Sequence, residues 1–431
     1  MSAPLIVLPR PGETATAKPI PAPSEAAFIQ TFGQLLPPAS YLHTPNGRVA
    51  YYQLSPSAND AATSIRRVLF VHGVQTPAIG LQPLAKELSS RFPSAQCVLV
   101  DLWGHGLTDT PFAPHEPALF HKLLEALMAH LDWPDAHLIG YSFGGSTTAT
   151  LAAARPGLVS SMVLVAPAGL LREAQFSETE RMYLRGGNGL EEAAKDWILE
   201  FLEGGQLVVP SDWKERVARG EVVAEAVRDW ELKEHRGHLA SVVAVFRDGG
   251  ALDRHADFAR AAATGIPALG VLGETDEVCS VQDLHEVGFK NVAVIPQVGH
   301  GVARQRVSEV AQLIEGFWKD FVRDDKDRMV ALATFVFVEW RGTERRGEAG
   351  ALTDMFGVCV SLLECHIASI RWDYMHLVER LDGNVKLYSP GIVDDDVHGL
   401  QPPLIFGALN AEVRSAQGGL DELDCVRSAG I

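Results

Sequence analysis

At 431 residues, 47% apolar and 21% charged, the chain is long enough to bury a large core and to hold one large domain with additions, or two. A formal charge of −17 argues against a nucleic-acid partner and an anionic membrane surface, since phosphate would be repelled and no Lys/Arg stripe offsets it. Five cysteines, Cys97, Cys279, Cys359, Cys365 and Cys425, are few, odd in number and widely spaced, so free thiols and a reducing, cytoplasmic location are expected.

Residues 1–38 are rich in Pro, Ala and Thr without periodicity and read as a flexible or loosely draped leader. Its Leu5-Ile6-Val7-Leu8 is too short for a signal-peptide core, and the longest apolar run, Met329 to Val338, is too short for a bilayer. Tyr41 to Leu54 reads as a hairpin around Pro45-Asn46-Gly47. Arg67 to Val71 is a strand buried on both faces, ending in His72-Gly73-Val74-Gln75. A helix is predicted over Leu81–Phe92 and a strand over Cys97–Leu102, which runs into Trp103-Gly104-His105-Gly106-Leu107-Thr108. Between Leu119 and Leu131, seven apolar side chains fall on one helical face.

His137-Leu138-Ile139 then leads into Gly140-Tyr141-Ser142-Phe143-Gly144, and a small-residue helix from Ser146 to Arg155 leads out. Met162 to Val165 is another strand, followed by a mostly helical insertion over residues 170–264. Pro267 to Leu272 reads as a strand ending in Gly273-Glu274-Thr275-Asp276, and Val292 to Ile295 as one leading to Val298-Gly299-His300-Gly301. An amphipathic helix follows, with Val307, Val310, Leu313, Ile314, Phe317 and Phe321 inward. Alternating strands and helices imply an α/β fold with a mostly parallel sheet. Residues 39–169 and 265–323 are its core, 170–264 a helical cap, and 324–431 an extension with apolar runs (Met329 to Val338, Met355 to Leu363) and an acidic Asp394-Asp395-Asp396 but no legible motif.

Strand, Gly-x-Ser-x-Gly, helix is the setting of a nucleophile elbow, in which Ser142 sits on a strained turn above the sheet. The helix N-terminus behind it favours developing negative charge. A serine hydroxyl needs a base, and the base needs an orienting group. Of fifteen histidines, His300 is best placed, after a strand and between two glycines. Glu274, Asp276 and Glu277 all stand near the preceding strand end as candidates for the acid.

His72-Gly73, Gly140-x-Ser142-x-Gly144, Gly273-x-x-Asp276 and Gly299-His300, in this order, resemble the α/β-hydrolase superfamily over about residues 40–323, and its capped serine-hydrolase branch in particular. The resemblance implies a central sheet flanked by helices with an inserted cap, and a catalytic triad of Ser142, Asp276 and His300. It also implies an oxyanion hole from the backbone N–H groups of Val74 and Phe143. Asp101, Gly104, His105 and Gly106 resemble a loop that shapes the site, and His72 a loop-shaping residue, not a second base. A serine in place of aspartate speaks against dehalogenase and epoxide-hydrolase activity. The cap aromatics Trp197, Phe201, Trp213, Trp230 and Phe246 are either cap core or the lining of an apolar pocket. The expected function is a soluble serine hydrolase cleaving a small or medium apolar carboxylic ester or lactone through an acyl-enzyme. Carbon–carbon hydrolysis of a vinylogous diketone, and a ligand receptor with vestigial hydrolysis, are the alternatives. No cofactor and no metal are expected, because no His/Cys/carboxylate cluster has ligand spacing. Oligomeric state is not legible.

Overall fold

The computed structural model describes residues 5–13, 17–58, 65–187 and 189–320, and the backbone of 378–381 and 384–387. The leader departs from expectation. Ser24 caps helix α1 (Glu25–Phe32), its hydroxyl accepting from the Ala27 N–H, and Phe28 and Phe32, one helical turn apart, are both buried. They meet Trp230 edge-on at 5.3 and 6.1 Å, and Phe32 also meets Trp213 at 5.9 Å. Upstream, Leu8 packs on Ala240 and Ala244, and Arg10 pairs with Asp248. Aromatic burial, which a Pro/Ala/Thr composition conceals, thus fastens much of this leader to the inserted helices.

The hairpin forms with Pro45-Asn46 as its two-residue turn, between β1 (Ser40–Thr44) and β2 (Gly47–Leu54), with Thr44 paired to Gly47. β3 (Arg67–Val71), β4 (Gln96–Val100), β5 (Ala136–Tyr141), β6 (Val159–Val165), β7 (Ala268–Gly273) and β8 (Val292–Ile295) follow. The sheet order is β1-β2-β4-β3-β5-β6-β7-β8, with β2 antiparallel to β4 and every pair beyond it parallel. β3 lies between β4 and β5, so the strand order reverses there, and the crevice that such a reversal opens lies at the carboxyl ends of β3 and β5. Both strands are apolar and almost wholly buried, as a sheet covered on two faces requires.

Helices α2 (Gln82–Arg91), α3 (Pro117–His130) and α4 (Phe143–Ala154) connect the first parallel strands. Between β6 and β7 lie α5 (Glu178–Arg185), α6 (Glu191–Glu203), α7 (Trp213–Ala218), α8 (Ala224–Glu234), α9 (His238–Asp248) and α10 (His255–Ala263). The first five make the cap. The sixth, though within the stretch read as cap, packs on α4 and places Phe258 and Ala261 in the main core, because its apolar stripe matches that small-residue surface.

α11 (Val281–Glu286), α12 (Val302–Gln305) and α13 (307–320) complete this part of the chain. α13 buries Val310, Ala311, Ile314 and Trp318; Val307, Leu313 and Phe317 are only half-buried, and Phe321 lies outside the described residues. Trp318 is the anchor that apolar periodicity alone passes over. Its Nε1–H donates to the Ser161 Oγ at 3.1 Å and its ring meets His137 at 5.4 Å. Farther on, β9 (Val378–Leu381) and β10 (Asn384–Leu387) pair antiparallel. The apolar runs, the acidic triplet and the three cysteines expected beyond residue 324 lie outside the described residues.

Candidate active site

β5 passes into α4 through Ser142, at φ +53° and ψ −119°. A side-chain-bearing residue is strained there and persists only if its surroundings hold it. They do: the Ser142 N–H donates to the Val165 carbonyl at 3.0 Å, and its own carbonyl accepts from Gly145 and Ala168, each at 2.9 Å. A Cβ on Gly144 would collide with the carbonyl oxygens of Val71 and His72, and one on Gly140 with the carbonyl of Gly144. Glycine at these two positions lets the first turn of α4 rest on the end of β3.

His300 Nε2 lies 2.9 Å from the Ser142 Oγ, and its Nδ1 lies 3.1 and 3.2 Å from the two carboxylate oxygens of Asp276. A carboxylate only accepts, so the ring proton belongs on Nδ1 and Nε2 is left to accept the serine hydroxyl. The Asp276 side chain is wholly buried, with Oδ1 also accepting from the Val278 N–H at 2.9 Å. Its turn is pinned where β7 ends by Asp276 N–H to the Gly273 carbonyl and Thr275 N–H to the Val298 carbonyl. The other two carboxylates of the turn are exposed, and Glu274 accepts from the Gln297 N–H at 2.9 Å. The Tyr141 hydroxyl donates to the His300 carbonyl at 3.1 Å, and the Arg304 guanidinium lies 5.3 Å from the Tyr141 ring centre. Neither contact has a sequence signature, because each joins segments about 160 residues apart.

Phe143 follows the serine directly, and Val74 follows Gly73, where an added Cβ would lie 2.9 Å from the Ser142 Cβ; neither the Val74 nor the Phe143 N–H donates to an acceptor among the described residues. Phe143 opens α4, where the N–H groups of the first turn have no intrahelical partner. The next residue along the other loop, Gln75, adopts φ +68°. Its N–H donates to His105 Nε2 at 3.2 Å, and its side-chain amide donates to Glu203 of α6 at 2.9 Å. Glu203 in turn pairs with Arg228 of α8 at 2.8 Å. The cap is therefore tied directly to this loop, which sequence separation hides.

The loop-shaping residues hold bonds suited to that part. Asp101 accepts from the Tyr52 hydroxyl, the Ala78 N–H and the Leu107 N–H, and burial raises its carboxyl to about 6. His72 donates from Nδ1 to the Gly73 carbonyl and accepts at Nε2 from the Leu102 N–H. Burial lowers the pKa of His72 to about 4 and that of His105 well below the ordinary imidazole value.

The five cap aromatics divide. Trp213 and Trp230 stack on α1, whereas Trp197, Phe201 and Phe246 pack on one another and, for the first two, on Phe176. Val74 packs on the apolar cluster that includes Ile198, Val242, Phe246 and Leu252, so an apolar wall of the cap meets the loop beside Ser142. Among the described residues no group of three or more His, Cys, Asp and Glu side chains is arranged to hold a metal ion, and no helix is long and apolar enough to cross a membrane.

The family model for the α/β hydrolase fold matches residues 66–209. An acetyltransferase component of the acetoin cleaving system from Pseudomonas putida is 28% identical over 222 residues, 51% of this chain and 55% of that protein. A 2-(acetamidomethylene)succinate hydrolase from Mesorhizobium japonicum is 35% identical over 98 residues, 23% of this chain and 34% of that protein. The chain thus spans about half and about a third of the length of these two relatives. A haloalkane dehalogenase loop variant from Bradyrhizobium elkanii superposes with a TM-score of 0.53 at 18% identity, covering 68% of this chain and 99% of that one, a likeness of fold alone. The described residues carry the α/β-hydrolase fold, and residues 66–209 match the family model of that fold.

Proposed function

We propose that the chain is a serine hydrolase cleaving a small or medium apolar carboxylic ester or lactone through an acyl-enzyme. The observation that carries this reading is the unbroken relay from Asp276 through His300 to Ser142, at 3.1 and 2.9 Å. Ser142 Oγ attacks the carbonyl carbon as its proton passes to His300 Nε2, and the buried Asp276 carboxylate stabilises the imidazolium. The oxyanion of the tetrahedral intermediate accepts from the Val74 and Phe143 N–H groups; removing one donor of this kind costs ~3 kcal/mol. Collapse expels the alcohol, which takes the His300 proton. Water then hydrolyses the acyl-serine with His300 again as base. The apolar cap wall against Val74 supports an apolar acyl group.

The test is labelling by a fluorophosphonate, followed by turnover on a panel of esters, lactones and a vinylogous diketone. The expected outcome is a labelled peptide containing Ser142, with labelling and ester hydrolysis both lost in Ser142→Ala. Label on another peptide, or full activity in that variant, would overturn the assignment.

A further inference from the structure

Val74 sits between two peptide groups, and each is bonded to a buried imidazole. In a trans peptide the C=O and N–H point in opposite directions, and no cis peptide occurs among the described residues. In the peptide joining Gly73 to Val74, the carbonyl accepts from His72 Nδ1–H at 2.6 Å, which turns the Val74 N–H away from that ring. In the peptide joining Val74 to Gln75, the N–H donates to His105 Nε2 at 3.2 Å, while the Val74 carbonyl accepts from the Thr76 N–H at 3.0 Å. Gln75 at φ +68° is in the left-handed region, which is unfavourable for a side-chain-bearing residue. A loop under that strain relaxes by rotating these peptides unless something holds them.

Resting on the serine-hydrolase reading, we infer that His72 and His105 are positioning residues that pin the peptide planes on either side of Val74 and keep its N–H aimed at the oxyanion.

Both rings are wired for this at their other nitrogens. His72 Nε2 accepts from the Leu102 N–H at 2.8 Å, and His105 Nδ1 donates to the Trp103 carbonyl at 2.9 Å. Each is therefore a donor at Nδ1 and an acceptor at Nε2, which only one neutral tautomer allows. A second proton would set N–H against N–H, and burial opposes it in both rings. The rings lie 5.1 Å apart, and His238 of the cap closes over His105 edge-on at 4.8 Å. The cap thus supplies the dryness on which the arrangement depends, and through Glu203 it holds the Gln75 side chain as well.

The experiment compares His72→Phe and His105→Phe, which keep a planar ring without nitrogens, with His72→Asn and His105→Gln. Asn can still donate near the Nδ1 position and Gln can still accept near the Nε2 position. Each is assayed for kcat and KM on one activated ester and for affinity toward an alkylboronic acid, which forms a tetrahedral adduct on the serine. A mispositioned donor acts in the tetrahedral state and spares ground-state binding. Both Phe variants should lose about 30-fold or more in kcat and a similar factor in boronate affinity, with KM within about threefold. The Asn and Gln variants should recover a large part of each loss. A kcat loss with unchanged boronate affinity, or a KM rise of that size with kcat intact, overturns the inference. If a Phe variant does not fold, a through-hydrogen-bond nitrogen–nitrogen coupling between the Gln75 amide and His105 Nε2 in the unsubstituted protein serves instead. A protonated Nε2 there overturns the inference. Absence of fluorophosphonate label at Ser142 in the unsubstituted protein would sink the hydrolase reading and this one with it. Normal labelling with parental boronate affinity in both Phe variants would sink this one alone.

Discussion

Glu274, Asp276 and Glu277 share one turn, and what separates them is the partner each carboxylate meets. Asp276 is buried and receives the His300 Nδ1–H, whereas Glu274 is spent on the Gln297 N–H at the surface. Asp276→Asn keeps the shape, removes the charge and can hold the wrong tautomer; in the chymotrypsin-type triad that change lowers kcat by ~10⁴. A loss of this order is expected here, with KM little changed, against no more than a few-fold in Glu274→Gln and Glu277→Gln. Steady-state kinetics of the three variants on one activated ester decide it, and a crippled Glu274→Gln beside a normal Asp276→Asn would move the acid. At this scale the serine and histidine were legible because glycines mark the bends that present them. The family resemblance pointed to the aspartate, and its burial and its bond to His300 are what separate it from its neighbours. The ties of Gln75 to His105 and Glu203 were not legible, since a hydrogen bond between segments 30 and 128 residues apart leaves no local pattern.

Strands and helices of the core announce themselves through period and punctuation, as β3, β5 and α3 show, because two-sided burial demands unbroken apolar runs and one-sided burial a stripe. Elements recognised by what they dock against are harder. α1 holds only eight residues, too short to persist in water alone, and its identity rests on Phe28 and Phe32 meeting the Trp230 and Trp213 rings. A sequence signal did exist: Ser24 as cap, Glu25 in the first turn, and two phenylalanines four apart. Phe32→Ala removes a side chain 1% exposed and should cost about 3 kcal/mol in urea unfolding. A loss below about 1 kcal/mol would mean that the helix is dispensable to the fold. Trp318 poses the same problem at the other end. Trp318→Phe keeps most of the apolar area, loses the bond to Ser161 and should cost about 1 kcal/mol plus any packing defect.

Over the whole molecule, contacts divide the chain after Phe321, and the triad lies entirely before that point. A chain ending at Asp324 is therefore expected to fold and to retain the proposed ester turnover; an insoluble or inactive product would make the later residues part of the same folded unit. The same unit carries a second global property, an unusual load of buried imidazoles. His72, His115 and His121 are each lowered to about 4 and His238 to about 3, all chiefly by burial, and burial also lowers His105 and His235. An unfolded histidine titrates near 6.5, so between pH 6.5 and about 4 the unfolded chain binds protons at these positions that the folded chain refuses. Unfolding is then favoured as pH falls, by about 1.4 kcal/mol per pH unit for each proton of difference. Three carboxyls work the other way: burial raises Asp101 to about 6, Glu231 well above its usual range and Glu203 above its own, so the folded state holds protons that the unfolded state releases above about 4. Their contribution favours the folded state at low pH and is lost as pH rises. Six imidazoles outweigh three carboxyls in this window, so stability should fall steadily from pH 6.5 to 4.5. Urea unfolding at pH 4.5, 5.5, 6.5 and 7.5 measures the slope. A flat profile between 4.5 and 6.5 would mean that these rings take up protons in the folded protein and that the cap does not keep the loop beneath it dry.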